Sequence, residues 1–102
     1  MPSYIMLTRL STEALKAANS LTALERHVVD RVKADCPEVE WRMSYAVFGP
    51  YDYLDIFHAP DNETAMKVAL LFRTLGHTQT EIWPATEWGR FKEIVKSLPT
   101  AP

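Results

Sequence analysis

The spacing of apolar residues changes several times along the chain, and each change marks an element. Tyr4-Ile5-Met6-Leu7-Thr8 is a nearly continuous apolar run, which predicts a strand covered on both faces. Ser11-Thr12 ends it, and Thr12 to Ala18 reads as a short helical turn broken by Asn19-Ser20. Leu21, Leu24, Val28 and Val32 then recur at steps of three and four, with Val29 widening the stripe, as on an amphipathic helix. Thr22 and Glu25 stand at the capping-box spacing, and the helix ends before Pro37. From Val39 to Phe48 the period becomes two. Val39, Trp41, Met43, Tyr45 and Val47 share one face, and Glu40, Arg42, Ser44, Ala46 and Phe48 share the other.

Phe48 to Asp61 compresses a turn, a strand and a helix start into one stretch. Gly49-Pro50 reverses the chain. Asp52 to His58 is rich in β-branched and aromatic residues and predicts a strand, with Leu54 and Ile56 pointing one way and Tyr53, Asp55 and Phe57 the other. Pro60 stops the strand, and Asp61 is placed to cap the next helix, Glu63 to Leu75. Met66, Ala69, Leu70, Phe72 and Leu75 are its core candidates, and Gly76 its stop. Thr78 to Ala85 predicts a fourth strand, at a sheet edge because Pro84 cannot donate to a ladder. Thr86 is the expected cap of a last helix reaching Lys96, with Trp88, Phe91, Val95 and Leu98 apolar, and Pro99 to Pro102 form a loose tail.

The order β-α-β-β-α-β with an added C-terminal helix predicts an α+β protein of ferredoxin-like type. Its sheet has four antiparallel strands in the order 4-1-3-2, with strands one and three central and both main helices on one face. The 102 residues suit one domain spanning 1–102, with an ordered core over about 3–97. An even-numbered hairpin loop places Trp41, Met43, Tyr45, Leu54 and Ile56 on one face, apolar enough to lie under the helices. Arg42, Ser44, Ala46, Tyr53, Asp55 and Phe57 are then expected on the uncovered face. That mixture of aromatics and charge reads as an interface or cleft.

Composition narrows the partners. A net charge of −2 gives no broad attraction to nucleic acid or an anionic membrane. No apolar run approaches the roughly 20 residues of a membrane span, and Tyr4 to Leu7 is too short for a signal-peptide core. Cys36 is the single cysteine, so no internal disulfide forms, and a reducing cytoplasm is the simplest location.

Gly49-Pro50-Tyr51-Asp52, followed by a strand and Ala59-Pro60-Asp61, resembles the GYD family of small proteins, in which a glycine is closely followed by Tyr-Asp at this place. The opening Tyr4 strand ending over Thr8 to Ser11, Leu75-Gly76 before a Thr-rich strand, and Ala85-Thr86 before the last helix agree with it. The likeness covers roughly residues 3 to 95, and Pro50 stands where the family usually has a polar residue. The resemblance implies a ferredoxin-like fold related to dimeric α/β barrels and implies no established activity.

Asp55 is the first candidate for chemistry, since an unpaired carboxylate in a central strand is costly. It is a general base or ligand anchor in one reading and a salt-bridge partner of Arg42 or of another chain in the plainer one. His58 follows the same strand, and histidine is the residue type best suited to acid–base work at neutral pH. Tyr51 could face a ligand; the structural alternative has Asp52 bonding turn amides while Tyr51 packs over the hairpin. Trp83, Trp88, Trp41, Tyr45 and Tyr53 either line an aromatic pocket or serve as core and dimer contacts. His27, His58 and His77 show no metal-ligand spacing, and Cys36 has no catalytic signature around it.

Two functions follow. The first is a homodimer, joined through the uncovered sheet face, that binds a small molecule in a cleft there through Arg42, Tyr51, Tyr53 and Trp83, or serves as an accessory protein. The second, by analogy with dimeric α/β barrels, is a cofactor-independent oxygenase- or isomerase-like enzyme using Asp55 and His58 on a small aromatic or enolisable substrate. Neither calls for a metal or cofactor. A pure interaction module is a third possibility, separated from the first by whether a ligand-sized pocket exists.

Overall fold

A computed structural model describes residues 1–12, 21–75 and 78–99. The elements are β1 (Ser3–Leu10), α1 (Leu21–Asp35), β2 (Glu40–Ala46), β3 (Tyr53–His58), α2 (Asn62–Leu75), β4 (Thr78–Ala85) and α3 (Trp88–Lys96). Most of the turn expected over Thr12 to Ala18, together with Gly76, His77 and the last three residues, lies outside the described residues. The sheet is antiparallel throughout, in the order β2-β3-β1-β4. Taken from the β4 edge, this is β4-β1-β3-β2, so β1 and β3 are central and Pro84 sits on an edge strand.

The core lies between the sheet and the helices α1 and α2. Tyr4, Met6 and Phe57 from the sheet meet Val28 and Val32 of α1, Cys36 just beyond it, and Ala65, Val68 and Phe72 of α2. Tyr4 also donates to Asn62 Oδ1 at 2.6 Å. At the start of α2, Asp61 Oδ1 accepts from both the backbone N–H and the hydroxyl of Thr64, each at 2.8 Å. This cap satisfies a free helix-end donor and sets the phase of the helix. Thr64 and Ala65 then face the sheet, followed by Val68 and Phe72. The expected core residues Met66 and Leu70 are instead 61% and 53% exposed. Small residues let α2 approach the sheet closely, and the larger pair falls on the outer side. Thr22 lies inside α1 rather than capping it, and α3 takes Glu87, not Thr86, as its N-cap.

The two sheet faces are inverted relative to the sequence expectation. Residues 47–52 form an even-numbered loop between the paired Ala46 and Tyr53. Met43, Tyr45, Leu54 and Ile56 do share a face, but it is the uncovered one, with Ile5, Leu7 and Trp83 beside them. Tyr4, Met6, Thr8, Tyr53, Asp55 and Phe57 lie under the helices. A register shift between Trp41 and Met43 places Trp41 opposite Phe57 and Met43 opposite Ile56. One extra residue in the strand moves Trp41 to the helix side while Met43 and Tyr45 stay outside. Ser44 and Ala46 consequently also face the helices.

The chain is extended for its length. Its radius of gyration is 16.2 Å and its longest dimension 60 Å, against about 13 Å expected for a compact domain of 100 residues. No residue of α3 is buried. Trp88, Phe91, Ile94, Val95 and Leu98 are all at least 41% exposed, so an amphipathic helix carries its apolar side uncovered.

Candidate functional site

A cavity of about 420 Å³ opens between α1 and the helix-facing side of the sheet. Its origin is local. Trp41, turned inward by the bulge, stacks on Phe57 at 5.2 Å and on Phe72 at 5.9 Å between ring centroids. Tyr4 extends the stack on the other side of Phe57, at 5.7 Å. These rings fill one end of the layer. Towards the other end the sheet presents Thr8, Ser44 and Ala46, which are too short to reach α1, and space remains. Leu24, Val28, Val29 and Leu10 make the walls apolar, and Glu25 and Lys33 stand on the α1 side.

Asp55 reaches this cavity from the central strand and is 7% exposed. Its Oδ1 accepts from Trp41 Nε1 at 3.3 Å, and the same indole N–H lies 2.8 Å from Ser44 Oγ. The Ser44 hydroxyl is also hydrogen-bonded to Asp55. Burial pushes the Asp55 carboxyl above its ordinary pKa; the Ser44 and Trp41 hydrogen bonds oppose this, and the Glu25 charge adds to it. No ion pair joins Arg42 to Asp55 among the described residues; Arg42 lies in the bulge and is exposed. Tyr53 lines the cavity too, and burial, ahead of the Glu25, Asp52 and Asp55 charges, raises its phenol and keeps it neutral.

Thr8 completes the polar end. It is fully buried, and its Oγ1 has no hydrogen-bond partner among the described residues. Thr8 and Ser44 were not candidates on sequence grounds. For Thr8 the available signal was a single hydroxyl inside an otherwise apolar strand.

The remaining candidates disperse. His58 and Trp83 lie on the uncovered face, away from Asp55, with His58 Nδ1 3.6 Å from Glu40 Oε2. Tyr51 sits at the hairpin loop, where the Arg9 guanidinium lies over its ring at 5.5 Å. Arg9 Nε also donates to Pro50 O at 2.8 Å. The Asp52 carboxylate bonds the end of β1 rather than its own turn, Oδ2 accepting from Leu10 N at 2.8 Å; its backbone N–H donates to Thr8 O at 2.8 Å, and its carbonyl accepts from Val47 N within the loop at 2.9 Å. A Cβ at Gly49 would meet nothing within 4 Å, so packing does not demand a glycine there. Cys36 is buried, and burial, reinforced by Glu38, raises its thiol pKa, which leaves it a poor nucleophile. Among the described residues no cluster of His, Cys, Asp or Glu could hold a metal ion, and no helix is long and apolar enough to cross a membrane. A more polar cleft of about 470 Å³ runs past Arg9, Tyr51 and Arg73. There Arg73 is already engaged by the Thr80 hydroxyl and carbonyl.

A four-stranded antiparallel sheet with helices on one face and a cavity beneath them defines a ferredoxin-like α+β protein. The sequence matches the model of the GYD domain over residues 4–95, and the chain belongs to that family. Among solved structures it is similar to the Mycobacterium tuberculosis leucine response regulatory protein LrpA, with a TM-score of 0.59 and 15% identity over 84% of this chain and 51% of that one. The chain thus spans about half the length of LrpA. It is also similar to TTHA0845 from Thermus thermophilus, with a TM-score of 0.53 and 23% identity over 85% of this chain and 95% of that one. At these identities both likenesses speak to the fold alone. No curated protein sequence matches the chain.

Proposed function

We propose that this GYD protein is a homodimer that binds a small molecule in the cavity between α1 and the sheet. The observation that carries the reading is Asp55, a carboxyl buried at the end of a ligand-sized, mostly apolar space. Such a space, with a few convergent polar groups and a perturbed carboxyl, is the usual form of a binding site. The cleft therefore lies on the helix side of the sheet, with Asp55 and Tyr53 in it, and the uncovered face is left for the second copy. That face suits self-association. Met43, Tyr45 and Trp83 are each about half exposed on it, next to Ile5, Leu54 and Ile56. Apolar area of this kind contributes roughly 25 cal/mol per Å² when covered. The uncovered apolar side of α3 supports the same reading, as an arm laid on the partner.

Asp55 also supports a second reading, a cofactor-independent enzyme. A buried carboxylate with a raised pKa is a competent general base for an enolisable substrate. Asp55 and Ser44 would act there, and His58, on the other face, would not.

Native mass spectrometry of the purified protein tests the main reading. A dimer retaining a discrete small molecule supports it, and a monomer at micromolar concentration refutes the dimer. Ala46→Trp, which fills the cavity from the sheet side, should abolish retention while leaving the dimer intact. Undiminished retention in that variant would place the ligand elsewhere.

A further inference from the structure

We infer that the cavity takes an uncharged, flat, largely aromatic molecule carrying one hydrogen-bonding oxygen, and that this oxygen docks on the Thr8 hydroxyl and the Asp55 carboxyl. The inference rests on the cavity being the binding site and names what it binds.

The Thr8 hydroxyl is the main clue. A fully buried hydroxyl without a partner is uncommon, because its desolvation goes uncompensated. Thr8 Oγ1 is in that position, with under 1 Å² of its own surface accessible, and Thr8 is among the residues lining the cavity. A turn of the side chain towards the cavity would let a ligand oxygen satisfy it. On the sheet, Thr8 pairs with Tyr53, and Asp55 pairs with Met6 on the same face. Thr8 and Asp55 are therefore diagonal neighbours, with Cα atoms about 7–8 Å apart in such an arrangement. Side chains converging from that separation can share one oxygen between them. A carboxyl held towards its protonated form donates a hydrogen bond, and the threonine hydroxyl can donate or accept.

The rest of the lining sets shape and charge. Trp41, stacked against Phe57 and Phe72, lines the cavity together with Phe72 and with Leu24 and Val28 of α1, so its walls are aromatic and aliphatic. Of the charged groups, α1 contributes Glu25 and Lys33, which are exposed and of opposite sign, and β3 contributes Asp55. α2 contributes Phe72 to the lining, β1 Thr8 and Leu10, and β4 Thr78, none of them charged. No buried cation is present among the lining residues to pair with a carboxylate or phosphate, and the Glu25 charge repels one. A cationic ligand would have to ionise Asp55 within its apolar surroundings, against the cost of desolvating both charges.

The test uses the full chain and four bicyclic probes of one shape: naphthalene, 2-naphthol, 2-naphthoate and 2-naphthylmethylammonium. Binding is read by titration calorimetry and by the fluorescence of Trp41, compared with a Trp41→Phe control. The expected order places 2-naphthol first, at least tenfold tighter than either charged probe. Thr8→Val keeps the shape of the side chain and removes its hydroxyl. It should weaken 2-naphthol about tenfold, the worth of one hydrogen bond, and leave naphthalene unchanged. Thr8→Ser, which restores a hydroxyl, should recover 2-naphthol binding. Thermal unfolding without ligand should show Thr8→Val no less stable than the parent, since it discards an unpaired group. A charged probe binding more tightly than 2-naphthol, or Thr8→Val binding 2-naphthol like the parent, overturns the ligand assignment while leaving the cavity a binding site. Binding by none of the four overturns the cavity reading with it.

Discussion

The most consequential expectation concerns the C-terminal helix. If α3 lies on a second copy, shortening its apolar side chains must weaken the dimer without disturbing the protomer. Phe91 and Val95 are the best pair to change, being one turn apart and 44% and 47% exposed. Full burial of a large apolar side chain contributes about 1.5–3 kcal/mol. Each of these is already about half covered within its own chain, so burying the remainder contributes roughly 1 kcal/mol per side chain. A twofold dimer contains each position twice. Phe91→Ala with Val95→Ala therefore removes about 4 kcal/mol from association, which raises the dissociation constant by about three powers of ten.

The choice of alanine reduces an ambiguity. Alanine is the better helix former at both positions, so intrinsic propensity favours α3 in the variant even though the Trp88–Phe91 stack is lost. Sedimentation velocity over a dilution series gives the dissociation constant, and far-ultraviolet circular dichroism checks that the helix content survives. Lys92→Ala, on the same helix, serves as the control and should leave the constant unchanged. A double variant that dissociates at the same concentration as its parent would show that α3 takes no part in the interface, whatever the sheet face does.

Two further outcomes follow from the site and the hairpin. Asp55→Asn should stabilise the protein at neutral pH. Because the folded-state pKa of Asp55 lies above its unfolded value, ionisation opposes folding. That penalty is absent below the unfolded carboxylate pKa, grows as pH rises through the folded pKa and is complete above it. The advantage of the asparagine variant, from urea unfolding at pH 7 and at pH 3.5, should therefore shrink at the lower pH, and an advantage independent of pH would contradict the assignment. Asp52→Ala should cost about 1–3 kcal/mol in urea unfolding, since it strips the partner from the Leu10 amide at the end of β1; a loss under about 0.5 kcal/mol would mean that water replaces the carboxylate without penalty.

The elements were legible because they are written in local periods. The alternation through β2 and β3, the threes and fours of α1, and the Asp61 cap each depend on residues close together in sequence. What was not legible is decided by pairing and approach. Choosing the more apolar sheet face for the helices assumes that the other face meets water. Here both faces are apolar, and Leu54, Ile56, Met43 and Tyr45 lie on the side that the helices leave open. The bulge at Arg42 comes from the register of β2 on β3, which no pattern within β2 records. On α2, size misled: Met66 and Leu70 are the larger hydrophobes, but Ala65 and Thr64 allow the helix to come close.

The candidate site divides along the same line. Asp55 stood out because a carboxylate in a central strand demands an explanation, and it does reach the cavity. Its pairing with His58 could have been rejected from the sequence. Residues three apart on a strand point to opposite faces, and the structure places them so. Thr8 could not be found that way, since threonine is an ordinary strand residue and only the surrounding space shows its hydroxyl to be unmatched. The Tyr-Asp signature belongs to this picture indirectly. Asp52 does not enter the cavity, yet its amide holds the Thr8 carbonyl and its carboxylate holds the Leu10 amide. Those two bonds fasten the β2–β3 loop to β1 on either side of Arg9, which itself grips Pro50 and Tyr51. The signature thus fixes where Thr8 stands against Tyr53 and Asp55. Loosening it should blunt binding at the cavity even though no signature side chain touches the ligand.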